Sequence, residues 1–181
     1  MALRAVSEKY LAEFVYGAID GTVTTFAIVS GVVGASLSPS IVLVLGLANV
    51  LADGFSMASS NFLAERSEQA LQHGLPASPF EHKAPRKTAL ITFLSFVSVG
   101  FIPLLPFGLA FFLPAIVPIQ FGLSIVLTAF AFIGIGAVRG IVTRHEPVRS
   151  ALETLLIGGC AALISYLVGY FLRGLVGGVS S

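Results

Sequence analysis

The chain has 181 residues, 56% of them hydrophobic and only 10% charged, with a mean hydropathy of +0.96, whereas soluble domains carry about 25% charged residues. A net charge of +1 leaves no basic face for nucleic acid, and a single cysteine, Cys160, leaves neither a disulfide framework nor a cysteine-based zinc site. The class this composition allows is an all-α integral membrane protein.

In chain order, the opening MALRAVSEKYLAEF lacks the apolar core of a signal peptide and reads as a cytosolic lead-in to a helix. Five segments then approach the roughly 20 apolar residues that cross a bilayer. They are about 14–36, 41–64, 88–110, 115–138 and 150–173, in one membrane domain over 1–181. The connections SLSPS (36–40) and FFLPA (111–115) are short and uncharged, 65–87 is longer and polar, and 139–149 is basic. Arg4, Lys9, Arg66, Lys83, Arg86, Lys87, Arg139, Arg144 and Arg149 fall on one side of this pattern and only Arg173 on the other. Cytoplasmic loops collect Lys and Arg, so the N-terminus is expected inside and the C-terminus outside.

The first span carries Glu13 at its inner end, then Asp20 and Thr24. The second carries Asn49, Asp53, Met57, Asn61 and Glu65, each four residues after the last. A step of four advances a helix by about 400°, so neighbours share a face with about 40° of drift per step. In the third span Pro103 and Pro106 each remove a backbone donor and are expected to bend or break the helix. Gly136, Gly140, Gly158, Gly159 and Gly169 read as close helix packing, and Cys160 as a small buried hydrophobe.

Ionisable residues inside a span are costly and mark function by default. Asp20 and Asp53 are the two clear cases; the third and fourth spans have no acid, Glu153 only opens the fifth, and no arginine falls inside an expected span to pair with them. Counting inward from Glu13 and Glu65 places Asp20 about 10 Å and Met57 about 12 Å along their helices. That predicts Asp20 level with Met57, Asp53 level with Thr24 one layer further out, and Asn49 beyond. Glu13, Asn61 and Glu65 then gather at the inner mouth. Carboxylates and amides suit hard and borderline cations, and a thioether favours softer ions such as ferrous iron over magnesium or calcium. Carboxylates in a low-dielectric path bind protons more tightly when empty, which gives a physical route to proton–metal exchange. His73, Glu81, His82 and His145 lie in polar connections without metal-site spacing and read as solvated loop. Met57 alone reads as core, and Asn49 and Asn61 alone as helix–helix hydrogen bonds. No nucleophile–base pair or cofactor motif lies within any span, so neither enzyme activity nor a resident cofactor is expected.

The stretches DGTVTTFAIVSGVVGA (20–35) and VLGLANVLADGFSMASSNFLAERSE (44–68) resemble the two signature helices of the vacuolar iron transporter family. PLLPF (103–107) and LIGGCAALISYLVGYFL (156–172) are similar to its third and fifth helices. The resemblance implies a homodimer with the transport path between subunits, lined by the first two helices of each. It implies export of ferrous iron, and often manganese, from the cytosol in exchange for protons, with Asp20, Met57 and Glu13 in the family's acid and methionine positions. Two departures stand out. The long glutamate-rich domain between helices two and three, common in plant and fungal vacuolar importers, is replaced by 65–87 with only Glu65, Glu68 and Glu81. Asn49 stands where some members have glutamate, and Asp53 where some have glycine. The reading is a proton-coupled exporter of ferrous iron, with manganese as further cargo, in the lipid bilayer of a bacterial cell membrane rather than a vacuole. Its rivals are a non-transporting interaction subunit that uses the polar stripe for packing, and a transporter of another substrate with Asp20 and Asp53 as a proton relay. Met57 argues against the last, because a relay needs no sulfur.

Overall fold

The computed structural model describes residues 2–72 and 83–177, with side chains over 9–71 and 83–175. His73, Glu81 and His82 lie outside the described residues. Among the described residues the chain is helical, without strands. Helix α1 runs Ala2–Gly34, α2 Pro39–Gln72, α3 Pro85–Gly100, α5 Gln120–Val142 and α6 Pro147–Gly177; between α3 and α5 lie a 3-10 turn at Ile102–Leu104, the short α4 at Leu105–Leu109 and a second 3-10 turn at Pro114–Ile119. Five stretches, Lys9–Gly34, Pro39–Leu71, Pro85–Leu109, Pro114–Val142 and Pro147–Leu175, are long and apolar enough to cross a membrane. The expected five spans are therefore present. Their helices extend past the expected limits at the ends that carry the basic residues, while α1 stops at Gly34, α3 at Gly100 and α5 starts only at Gln120; the lead-in is itself helical from Ala2.

Helix α1 is the hub, packing against α2, α3, α5 and α6. Its sequence explains why. Lipid is as apolar as leucine, so helices in a bilayer associate through close backbone approach over small residues. Gly17 and Gly21 let α3 in: a Cβ on Gly21 would stand 2.5 Å from the Phe96 carbonyl oxygen, and one on Gly100 of α3 would stand 2.9 Å from the Gly21 carbonyl oxygen. Further along, Gly31 and Gly34 meet Ser165 and Tyr166 of α6, and Ser165 Oγ donates to the Ala27 carbonyl at 2.5 Å. Gly136 and Gly140 of α5 lie against Ala151, Pro147 and Ser150 of α6. Gly136 and Gly140 pack as expected, as do Gly158 against Phe132 and Gly169 against Gly31. Gly159 does not, since a Cβ there would meet open space. Cys160 beside it is exposed rather than buried, because α6 packs only on α1 and α5 and leaves its outer face bare.

Pro103 and Pro106 do break the third span. Pro106 offers no N–H to the Ile102 carbonyl, which accepts from Leu105 instead and tightens the chain into the 3-10 turn. The Pro103 carbonyl is met by Ser124 Oγ of α5 at 2.7 Å. Phe26, Val29, Val32, Val42, Val50, Leu104 and Phe107 form the main apolar cluster around this break.

The helices alternate in direction, so Lys9, Arg66, Lys83, Arg86, Lys87, Arg139, Arg144 and Arg149 gather at one end of the bundle. Of the described basic residues only Arg173 lies at the other, and these are called below the basic end and the turn end. The α1–α2 turn closes with hydrogen bonds Ser36 N to Val33 O (2.9 Å) and Leu37 N to Val32 O (3.0 Å), with Ser36 in the left-handed region at φ 57°. Arg144 takes the same place after α5 at φ 58°.

Candidate functional site

The site begins with the register of the α1–α2 hairpin. Thr24 lies ten residues before Gly34 and Asn49 ten residues after Pro39, and the two side chains meet, Asn49 Nδ2 donating to Thr24 Oγ1 at 3.4 Å. The Thr24 hydroxyl gives its own proton to the Asp20 carbonyl at 2.8 Å, so it presents only acceptor lone pairs across the hairpin. One turn toward the basic end, Asp20 and Asp53 are each fourteen residues from the turn. Both are half-buried, and their carboxyl groups lie within electrostatic reach of one another.

This corrects the expected layering by about one helical turn, roughly 6 Å. Asp20 is level with Asp53, not with Met57, and Thr24 is level with Asn49, not with Asp53. The expectation took Glu13 and Glu65 as equivalent depth marks. Helix α2 continues to Gln72, two turns beyond Glu65, and the tight turn at 35–38 sets the levels instead. Met57 falls one turn below the acids, level with Tyr16.

All five members of the α2 stripe, Asn49, Asp53, Met57, Asn61 and Glu65, are half-buried. Their drift separates their partners. From Asn49 to Asn61 it amounts to about 120°, and while Asn49 faces Thr24 on α1, Asn61 Nδ2 donates to Thr92 Oγ1 on α3 at 2.8 Å. Thr92 is itself bonded back to the Thr88 carbonyl at 3.0 Å, repeating the arrangement at Thr24. The amides thus stitch α2 to α1 toward the turn end and to α3 toward the basic end. Between them, Asp53 remains on the side nearest α1, and Met57 lies about 40° further round toward α3.

At the basic end Glu13 is buried on α1, with its Oε1 held by Lys83 Nζ at 2.6 Å. Asn61, expected beside it, is engaged with Thr92 instead. Lys83 was not expected at the site, because an irregular connection carries no periodicity that would aim its side chains.

Arg139 was also missed. Hydropathy ends the fourth span at 138, but α5 continues to Val142 and brings Arg139 inside the fourth membrane stretch. It shares with Tyr16, Ile19, Asp20 and Thr143 a crevice of about 500 Å³ between α1 and α5. Its Nη2 donates to Glu153 Oε2 at 2.8 Å, and Arg149 Nε donates to Glu153 Oε1 at 3.3 Å. Glu153 is thereby engaged by two guanidinium groups, away from the hairpin. His145 is exposed, its Nδ1 2.9 Å from the Thr143 carbonyl.

Among the described residues no three His, Cys, Asp or Glu side chains come together in one chain. What one chain contributes is a pair of half-buried carboxylates at one level, with a thioether one turn below. Beside the half-buried stripe, Ala48, Ala52, Ser56, Ser60 and Ala64 form a parallel stripe of small residues that is exposed.

Fold and site together define a multi-pass helical membrane protein built around an acidic first hairpin. The chain belongs to the VIT family, whose sequence model matches residues 11–78 and 69–170. It is 27% identical to a vacuolar iron transporter of Toxoplasma gondii, over 94% of this chain and 77% of that protein. Identity to vacuolar iron transporter 1 of Arabidopsis thaliana is 26%, over 87% and 84%. With a vacuolar iron transporter of Plasmodium berghei it is 24%, over 93% and 84%. The Toxoplasma alignment runs to 232 positions against 181 residues here, so that relative carries sequence this chain lacks. The two family matches overlap at 69–78, starting within the last turn of α2.

Proposed function

We propose that the protein carries ferrous iron, with manganese as a second cargo, out of the cytosol in exchange for protons. The observation that carries this reading is the level pair Asp20–Asp53, two half-buried acids on adjoining helices of an apolar hairpin. Two acids at one level in a low-dielectric hairpin favour a divalent cation, or protons, between them. Membership of a family with relatives named as iron transporters supports the choice of metal. Met57 one turn below offers sulfur, which suits ferrous iron better than magnesium.

In this reading Asp20, Asp53 and Met57 line the path. Glu13 and Glu65 stand at its cytosolic entrance, and Thr24 with Asn49 lies toward the exit. Asn61 acts mainly by tying α2 to α3. The basic end faces the cytosol, which puts the N-terminus inside and the C-terminus outside. A homodimer completes the path: the exposed stripe of Ala48, Ala52, Ser56, Ser60 and Ala64 permits close approach of a second α2, which would double every ligand. Removal from the cytosol is the same movement in a cell membrane or a vacuolar one. The relatives are named for the vacuole and give no support to the bacterial cell membrane expected from the short connection.

Flux in proteoliposomes tests the function. The purified protein should move ferrous iron down an imposed gradient and respond to a pH difference across the membrane, and Asp20→Ala should abolish that flux without loss of folded protein. A wild-type protein that moves neither iron nor manganese would sink the reading.

A further inference from the structure

Glu13 is the one buried acid among the described residues. Its two oxygens are treated differently: Oε1 takes the Lys83 ammonium at 2.6 Å, while Oε2 is buried with no hydrogen-bond partner. Lys83 is held in place by its own backbone. Its carbonyl accepts from Gln69 Nε2 of α2 at 2.9 Å, and the next N–H, that of Ala84, donates to the Tyr10 hydroxyl of α1 at 3.3 Å. Pro85 then opens α3. The ammonium is therefore delivered to Glu13 at the point where α1, α2 and the head of α3 converge.

A carboxylate in this state is half satisfied. An ammonium is a point charge that serves one oxygen, and the orphaned oxygen remains desolvated without return. A divalent cation can bind both oxygens of one carboxylate. We propose that Lys83 is a tethered competitor for Glu13: it occupies the carboxylate when no metal is present, and a divalent cation arriving at the basic end must displace it. Lys83 thereby sets the apparent affinity of the entrance, although it ligates no metal. The flux consequence rests on the transport reading above. The competition itself does not, since it concerns binding at Glu13.

The test pairs flux with binding. Lys83→Met keeps an apolar stem of similar length and removes the charge. It should lower the KM for ferrous iron on the order of fivefold, the scale of a partly exposed ion pair, with a smaller change in kcat. Manganese binding to the solubilised protein, read by electron paramagnetic resonance, should tighten by a similar factor. Both changes should vanish in a Glu13→Gln background, and Lys83→Arg, which keeps a cation and can serve both oxygens, should bind manganese no more tightly than wild type. A purely structural Lys83 would alter thermal stability in Lys83→Met and leave KM and manganese binding unmoved, which overturns the proposal while iron flux stands. If the wild type carries no metal but manganese binding still tightens in Lys83→Met and not in the double variant, the transport reading falls and the competition stands. Should Lys83→Met fail to fold, Lys83→Gln carries the same comparison.

Discussion

Asn49 donates across the first hairpin to Thr24, 3.4 Å away, and this contact marks the register that puts Asp20 level with Asp53. The register is open to a direct test. In a background with Cys160→Ala, the pair Thr24→Cys with Asn49→Cys should cross-link under mild oxidation faster than Thr24→Cys with Asp53→Cys. The reverse order, read on gels, would restore the layering expected from counting inward from the acids.

The two level carboxylates should act as one unit. Asp20→Asn and Asp53→Asn are each expected to lower metal flux at least tenfold, the scale on which metal sites respond to loss of a supporting group. The double variant should then cost little more than the worse single one, because residues sharing a ligand couple strongly. Independent, multiplying losses in the flux assay would mean that the two acids serve separate steps.

Met57 separates sulfur chemistry from packing. Met57→Leu retains the volume of the half-buried side chain and removes the thioether. Iron flux should fall while folded yield holds, and preference for ferrous iron over magnesium should narrow in competition. An unchanged preference would return Met57 to the role of a core residue.

The glycine contacts predict stability. Gly21→Ala would press a methyl group to 2.5 Å from the Phe96 carbonyl oxygen, and the α1–α3 contact has no flexible side chain there to yield. A cost of about 1–3 kcal/mol is expected in thermal unfolding of the solubilised protein. Gly159→Ala, which meets open space on α6, should be neutral or stabilising by about 0.5–1 kcal/mol through helix propensity.

Ser36 holds a left-handed backbone at φ 57° in the α1–α2 turn. Ser36→Gly should stabilise the protein by up to about 1 kcal/mol, since glycine occupies that region without steric cost. A measured loss of stability would show that the serine side chain contributes a contact greater than its backbone strain.

Much of this protein was legible in its sequence because bilayer chemistry leaves so few options. An apolar run of about 20 residues must be a helix, since no water is there to satisfy its backbone. Asp20 and Asp53 stood out for the same reason, as charges where charge is costly. The proline break at Pro103 and Pro106 followed from a missing donor. Lys83 and Arg139 were illegible for opposite reasons: one sits in irregular chain with no period to aim it, the other just past the point where hydropathy ends but the helix does not.

By itself, then, the sequence determined the membrane class, the five spans, the placement of acids on the first two helices and the likeness to the vacuolar iron transporter family. Each of these is local or compositional, a property of which residues occur and at what spacing along one helix. The tertiary structure decided which residues of different helices meet. It set Asp20 level with Asp53 through the tight turn at 35–38, divided Asn49 and Asn61 between α1 and α3 through helical drift, and brought Lys83 onto Glu13. Those pairings depend on the relative sliding and rotation of packed helices, and an error of one turn there exchanges every partner while leaving the pattern of each helix unchanged.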